Sequence, residues 1–291
     1  IFPLYHITDM RKPIIISVIG PTSSGKSELA VQLAKKFNGE IISADSRQIY
    51  RGFDLSSGKV TGKWLAFPFS SHPERSEGSQ GKSSSRNPGR NASGDPGSKK
   101  VFIYKTIPHY LIDEASPRLQ YSVAKFQAKA QKIIKDILSR GKVPIICGGT
   151  MHWVDAVIYN QTLPEVKPNL ELRKKLQKLS VEQLFKRLQK LDPVRAKNID
   201  AKNPRRLIRA LEIIESTGQP VPIPSLTLPF QGEGGEGPYN PIWISINPGP
   251  EILEQNIYKR ILQRIKQGMI AEIQKLHKAG LSWKKLESYG L

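Results

Sequence analysis

Apolar residues along this chain fall into two kinds of pattern, short solid runs and spaced repeats. Ile14–Ile19 (IIISVI) is a nearly unbroken β-branched run, which predicts a strand buried on both faces of a parallel sheet. The stretch ELAVQLAKKF that soon follows has helical spacing. Glu40–Ser43 predicts a second short strand, ending at Asp45. Tyr121–Leu138 predicts a helix, with Val123, Phe126, Ile133, Ile134 and Ile137 on its apolar stripe. Lys142–Cys147 (KVPIIC) predicts another buried strand that runs into Gly148-Gly149-Thr150. Pro168–Lys190 reads as helical, Tyr239–Ile246 as a strand, and Glu251–Ala279 as one or two helices. Strands alternating with helices predict an α/β fold, a doubly wound and mostly parallel sheet with helices on both faces.

Two segments interrupt this pattern. Ser70–Lys99 is Ser, Gly, Pro and charge with almost no apolar residue, and Thr227–Pro238 is a shorter stretch of the same kind. Neither buries enough apolar surface to offset the entropy of ordering, so both read as disordered low-complexity insertions. The expected organisation is an α/β core over 11–160, interrupted at 70–99. A helical basic insertion follows over 161–202, then a return to the core over 203–291, interrupted at 227–238.

Charge changes the picture more than composition does. The formal net charge is +20, and a field of that sign favours a polyanionic partner, nucleic acid before membrane. From Gln161 to Ala210 there are 14 Lys and Arg against 5 Asp and Glu, so nearly half the excess sits in one stretch. No apolar run approaches the roughly 20 residues of a membrane span. The charged and polar residues within Ile1–Lys12 lead us not to expect a secretory signal there. The single cysteine, Cys147, leaves no internal disulfide, which fits a cytoplasmic protein. The sequence begins at Ile1, and Met10 is the expected natural start.

The chemistry starts at Gly20-Pro21-Thr22-Ser23-Ser24-Gly25-Lys26-Ser27, which matches G-x-x-x-x-G-K-[ST] between a strand and an amphipathic helix. Glycines let backbone N–H groups turn toward phosphate oxygens, and the helix that follows aims its positive end at the same point. Lys26 supplies a cation, and the Ser27 hydroxyl suits Mg²⁺. The loop alone does not say whether it takes a nucleotide or another diphosphate.

Four further motifs follow in order: Asp45-Ser46-Arg47-Gln48-Ile49-Tyr50; Pro108-His109-Tyr110-Leu111-Ile112-Asp113 with Tyr121-Ser122-Val123-Ala124-Lys125-Phe126; Gly148-Gly149-Thr150-Met151; and Asn203-Pro204-Arg205-Arg206-Leu207-Ile208-Arg209-Ala210-Leu211-Glu212. From about Ile14 to the last residue the chain resembles the tRNA dimethylallyltransferase (tRNA isopentenyltransferase) family. The resemblance implies a P-loop NTPase-like doubly wound sheet with a helical insertion domain. It also implies transfer of a dimethylallyl group from dimethylallyl diphosphate to the N6 amine of the adenosine 3′ to a tRNA anticodon, with Mg²⁺ at the phosphate loop. Asp45 would then be the general base, and Ser46, Arg47 and Gln48 would border the flipped base. Thr150 would lie near the channel where base and donor meet. Asn203, Arg205, Arg206 and Arg209 would contact tRNA, with Arg206 also reaching the diphosphate. The acting unit is expected to be a monomer.

Simpler roles remain open for several of these residues. Asp45 could cap a turn or stand behind the metal, His109 could lie at the surface, and Cys147 reads as a buried strand residue. Three departures from the family pattern stand out. His152-Trp153 replace the usual Leu-Tyr, Ser70–Lys99 is an insertion, and the end at Leu291 reads as a C-terminal truncation. The rival readings are an adenylate isopentenyltransferase acting on free nucleotide, a small-molecule P-loop kinase, and an inactive RNA-binding remnant.

Overall fold

The structure, a computed structural model, describes residues 12–66, 100–161, 163–164, 166–221 and 237–291. It divides into two compact units, residues 1–154 with 240–291, and residues 155–239. The first unit opens with β1 (Ile14–Ile19), α1 (Lys26–Lys36) and β2 (Gly39–Ser43). A hairpin-like trio follows, β3 (Lys63–Ala66), β4 (Lys100–Tyr104) and β5 (Ile107–Tyr110). Then come α2 (Val123–Ser139), β6 (Val143–Gly148) and α3 (Met151–Ile158), the last crossing into the second unit. That unit holds α4 (Leu170–Leu176), α5 (Val181–Leu191), α6 (Pro193–Lys197) and α7 (Pro204–Thr217). The chain returns to the first unit as β7 (Asn240–Ser245), α8 (Pro250–Lys266), α9 (Met269–Lys278) and α10 (Trp283–Ser288).

All seven strands form one sheet in the order β3-β4-β5-β2-β6-β1-β7. The five strands from β5 to β7 run parallel, and β3 and β4 add an antiparallel edge. Successive residues of a strand point to opposite faces. Ile16, Val18, Ile41 and Ile145 share a cluster with Ala30, Val31 and Ala34 of α1. Their neighbours Ile15, Ile42 and Ile146 are fully buried as well, so both faces of the central strands are covered. The α/β reading therefore holds, and parallel pairing explains why these strands are solidly apolar.

The structure also shows what the pattern of apolar positions left out. β3, β4 and β5 were not foreseen, and all four residues of β3 are exposed. Pro168–Lys190 is helical as expected and holds two helices, because Ser180 and Gln183 form a capping box that starts α5 afresh. α7 belongs to the second unit, where Leu207, Leu211 and Ile214 share a core with Leu184 and Leu188 of α5. The return to the core, expected at residue 203, therefore falls at Asn240. The expectations for 70–99 lie outside the described residues, as do most of those for 227–238. No described helix is long and apolar enough to cross a membrane.

Candidate active site at the phosphate loop

The loop between β1 and α1 has the backbone its glycines imply. Gly25 sits at the N-cap of α1 in the left-handed region, with φ 89°. A Cβ at Gly20 would meet the Ile246 carbonyl at 2.7 Å, so only glycine lets β1 leave the sheet beside the end of β7. Ser23 is left-handed too, at φ 65°, which a non-glycine residue holds only when its surroundings fix it. Here α8 does the fixing. Asn256 Nδ2 donates to Ser23 O at 3.4 Å, and Arg260 donates to Ser23 Oγ at 3.1 Å. The Lys26 ammonium reaches back along the loop to donate to Pro21 O at 2.9 Å.

A second turn forms the opposite wall. Asp45 Oδ1 accepts from the backbone N–H of Arg47 at 2.9 Å and of Gln48 at 3.3 Å. The turn-capping role is thus real, and it uses one oxygen; Asp45 Oδ2 has no partner among the described residues. Thr150 ties this turn to the end of β6. Its Oγ1 accepts from Ser46 N at 3.1 Å, and its own N–H donates to Ala44 O at 3.3 Å. Gly148 is demanded by the same approach, since a Cβ there would overlap the Ala44 carbonyl group. Gln48 spends both ends of its amide within the protein, accepting from Ser43 Oγ at 3.1 Å and donating to Gly58 O at 3.3 Å.

These walls enclose a small cavity lined by Lys26, Ser27, Asp45, Gln48, His109 and Cys147. It lies where β1, β2 and β6 reach their carboxyl ends, the usual ligand position in an open α/β sheet. Its electrostatics favour an anion. Burial lowers the Lys26 ammonium from its ordinary value, the charge of Asp45 opposes that shift, and Arg260 adds to it. Burial also lowers Arg260. Arg264, one turn on, is pushed down to about 10 by burial and by Arg260. A side chain at Gly58 would overlap both guanidinium groups, which places them side by side against that loop. Asn256, Arg260 and Arg264 were not read from the sequence. Their i, i+4 spacing was visible, but not the pairing of β7 with β1 that carries α8 to the loop.

Other expected residues have structural employment. His109 is buried rather than at the surface, with Nδ1 2.9 Å from Ile107 O, and burial lowers its pKa. Cys147 is a buried strand residue, as read, and burial pushes its thiol up to about 12. Trp153 stacks on Phe126 at 4.5 Å and 29°, so it acts as a packing element.

In the second unit Asn203 caps α7 by accepting from Arg206 N at 3.2 Å. Arg209 donates to Glu212 at 2.5 Å and to Val166 O at 3.0 Å, and Arg173 donates twice to the same buried Glu212 at 2.8 Å. Arg209 and Asn203 therefore hold that unit together. Arg205 and Arg206 are exposed on the first turn of α7.

Fold and site together define a P-loop enzyme whose cationic pocket faces a carboxylate fixed on the neighbouring strand end. Comparison with known proteins resolves the class further. Residues 97–291 match the profile of the IPP transferase family, and residues 13–66 match that of isopentenyl transferases. The tRNA dimethylallyltransferase of Oceanobacillus iheyensis is 36% identical over 269 residues, covering 91% of this chain and 72% of the relative. That of a Thermoanaerobacter species is 36% identical over 271 residues, covering 91% and 73%. Among solved structures, the full-length tRNA isopentenylpyrophosphate transferase of Bacillus halodurans superposes with a TM-score of 0.52 at 30% identity, covering 94% of this chain and 72% of that one. A eukaryotic dimethylallyltransferase acting on tRNA gives 0.62 at 25% identity, covering 92% and 56%. The chain belongs to the tRNA dimethylallyltransferase family.

Proposed function

We propose that this chain moves the dimethylallyl group of dimethylallyl diphosphate onto N6 of the adenosine 3′ to a tRNA anticodon, releasing diphosphate. The observation that carries this reading is the shared cavity of Lys26 and Asp45 at the mouth of the phosphate loop, in a chain of this family. The N6 lone pair is delocalised into the purine, so the amine is a weak nucleophile. Asp45 Oδ2 takes the amine proton as the bond from N6 to the prenyl C1 forms, while Oδ1 keeps the carboxylate in place. The bond from C1 to the diphosphate oxygen breaks at the same centre. The loop amides, Lys26 and Arg260 stabilise the charge that grows on the departing diphosphate. Thr150, Ser46 and Gln48 hold the turn that aims Asp45. The target base must leave its stack to reach this pocket.

Mg²⁺ fits the residues present. It is a hard ion that takes few protein oxygens and completes its shell with water and substrate phosphate. The Ser27 hydroxyl on the first turn of α1 is the protein ligand proposed. When bound, the ion supplies positive charge to the diphosphate. The exposed basic residues of the second unit, with Arg205 and Arg206, are proposed to grip tRNA phosphates, and Arg206 to touch the diphosphate. A cytoplasmic monomer completes the proposal.

The test offers the protein dimethylallyl diphosphate with either an anticodon stem-loop or free AMP, and follows the mass of each acceptor. Prenylated stem-loop with unmodified AMP is expected. Transfer to AMP alone would move the reading to an adenylate isopentenyltransferase. Stem-loop binding without any transfer would leave only an RNA-binding remnant.

A further inference from the structure

Glu272, on α9, is placed unlike any other described carboxylate of the first unit. Its Oε2 accepts from the backbone N–H of Asp54 at 3.1 Å and of Leu55 at 2.8 Å. Its Oε1 accepts from the N–H of Ser56 at 3.0 Å and from Ser56 Oγ at 2.7 Å. No Lys or Arg lies within ion-pair distance of it among the described residues. Four donors from one short loop thus converge on a single side chain, an arrangement that fixes a backbone.

That loop is tied to the anion site through Gln48, which lines the cavity. Two residues beyond Ser56, Gly58 accepts from Gln48 Nε2, and Gln48 accepts from Ser43 at the end of β2. Gly58 is left-handed at φ 74°, and the space a side chain would fill there holds the guanidinium groups of Arg260 and Arg264. The far end of the loop is anchored independently, since Lys59 bonds to Asp113, Asp54 and Tyr50 O. What Glu272 adds is a tie between residues 54–56 and the helix that directly follows the arginine-bearing α8. Its charge also favours the protonated form of Arg264.

We infer that Glu272 is a positioning residue for the diphosphate site, clamping the 54–58 loop so that Gly58 seats Arg264 and Arg260 beside the phosphate loop. This rests on the diphosphate-binding part of the proposed function but not on prenyl transfer. Glu272 touches neither substrate, so its removal should act through the arginines alone.

The experiment is calorimetric titration of the full chain with inorganic diphosphate and Mg²⁺, for wild type, Glu272→Gln, Arg264→Ala and the double variant. Glu272→Gln is expected to weaken diphosphate binding roughly tenfold. The double variant should lose less than the sum of the two single losses, because Glu272 acts in part through Arg264. In turnover, Glu272→Gln should raise KM for the prenyl donor and lower kcat through the displaced Arg260, while stem-loop affinity stays at the wild-type value. Wild-type diphosphate affinity in Glu272→Gln, or losses that add in the double variant, overturns the inference. Should Glu272→Gln fail to fold, Ser56→Ala removes one of the four bonds and must still weaken diphosphate binding; unchanged affinity there also overturns it. Diphosphate binding without prenyl transfer by wild type would sink the proposed function and leave this inference to stand on the titration. Failure of wild type to bind diphosphate would sink both.

Discussion

One oxygen of Asp45 caps a turn and the other is the proposed proton acceptor, and the two roles can be separated. Asp45→Asn keeps an acceptor for the Arg47 and Gln48 amides, whereas Asp45→Ala removes it. The asparagine variant should keep its melting temperature and lose roughly 10²–10⁴-fold in kcat, the range for a general base, with stem-loop affinity unchanged. The alanine variant should lose kcat to a similar extent and also about 0.5–2 kcal/mol of stability, as for a lost cap. Full kcat in Asp45→Asn, measured in single turnover, would remove Asp45 from the reaction. Lys26→Ala should nearly abolish transfer, because it deletes the cation that faces the leaving group. Cys147 lines the same cavity, yet its buried thiol is pushed up to about 12, so little thiolate exists at neutral pH. Native protein should resist alkylation at pH 8, and denatured protein should react at once; rapid labelling of the native chain would refute the burial. The phosphate loop and the place of Asp45 at the end of β2 were legible in the sequence because each is a local motif. Which oxygen of Asp45 stays available was not, since that depends on the conformation of the turn.

Burial on both faces made the central strands readable but was not sufficient, since β5 is wholly buried yet, as Ile-Pro-His-Tyr, shows no apolar run. β1, β2 and β6 lie at the centre of the sheet and are solid apolar runs, so their pattern survives without context. β3 and β4 form the antiparallel end of the sheet, β3 exposed and β4 buried at Val101 and Phe102; both are short and lie on either side of the low-complexity Ser70–Lys99, and nothing in KWLA or KVFIY marks them as partners. α8 was legible as a helix, but its part in the site comes from β7 pairing with β1, a long-range contact with no local signature. The edge pairing also gives the insertion a testable place. Ala66 lies opposite Lys100 in the antiparallel register, so the chain ends that flank residues 67–99 already face one another. Replacing 67–99 with a two-residue Asn-Gly turn should leave kcat unchanged and raise the melting temperature by a few degrees, since about four halvings of loop length at about 0.6 kcal/mol each favour the folded state by roughly 2.4 kcal/mol. A replacement variant that does not fold would mean that the segment packs.

At the scale of the whole molecule the charge asymmetry was legible, whereas the extent of the second unit was not. Ionic contacts within that unit also alter which lysines and arginines to test. Arg187 pairs with Glu215 at 2.7 Å and Lys174 with Glu171 at 3.5 Å, so both are partly neutralised. Lys175, Lys178 and Lys190 are exposed and have no ion-pair partner among the described residues. Changing these three to Gln should weaken binding of all tRNAs about equally, because phosphate contacts carry no sequence information. It should also flatten the log–log salt dependence, by at most roughly 0.7–0.9 for each phosphate no longer neutralised. An unchanged slope would make this face a solvated surface. Arg205→Ala with Arg206→Ala should lower single-turnover transfer as well as affinity.

The pairing of Ile14 with Asn240 sets a timetable for the nascent chain. When the phosphate-loop segment leaves the ribosome, the strand that flanks it and the helix that holds Ser23 have not been made. At about 5–20 residues per second, β1 waits roughly 10–45 seconds for β7. Through that interval one side of a strongly apolar strand has unpaired backbone groups, a state open to false partners. The 155–239 unit has its own core and is complete before β7 emerges. The half-built sheet is therefore the species that a holdase would recognise, and the last strand to be translated is the one that closes it.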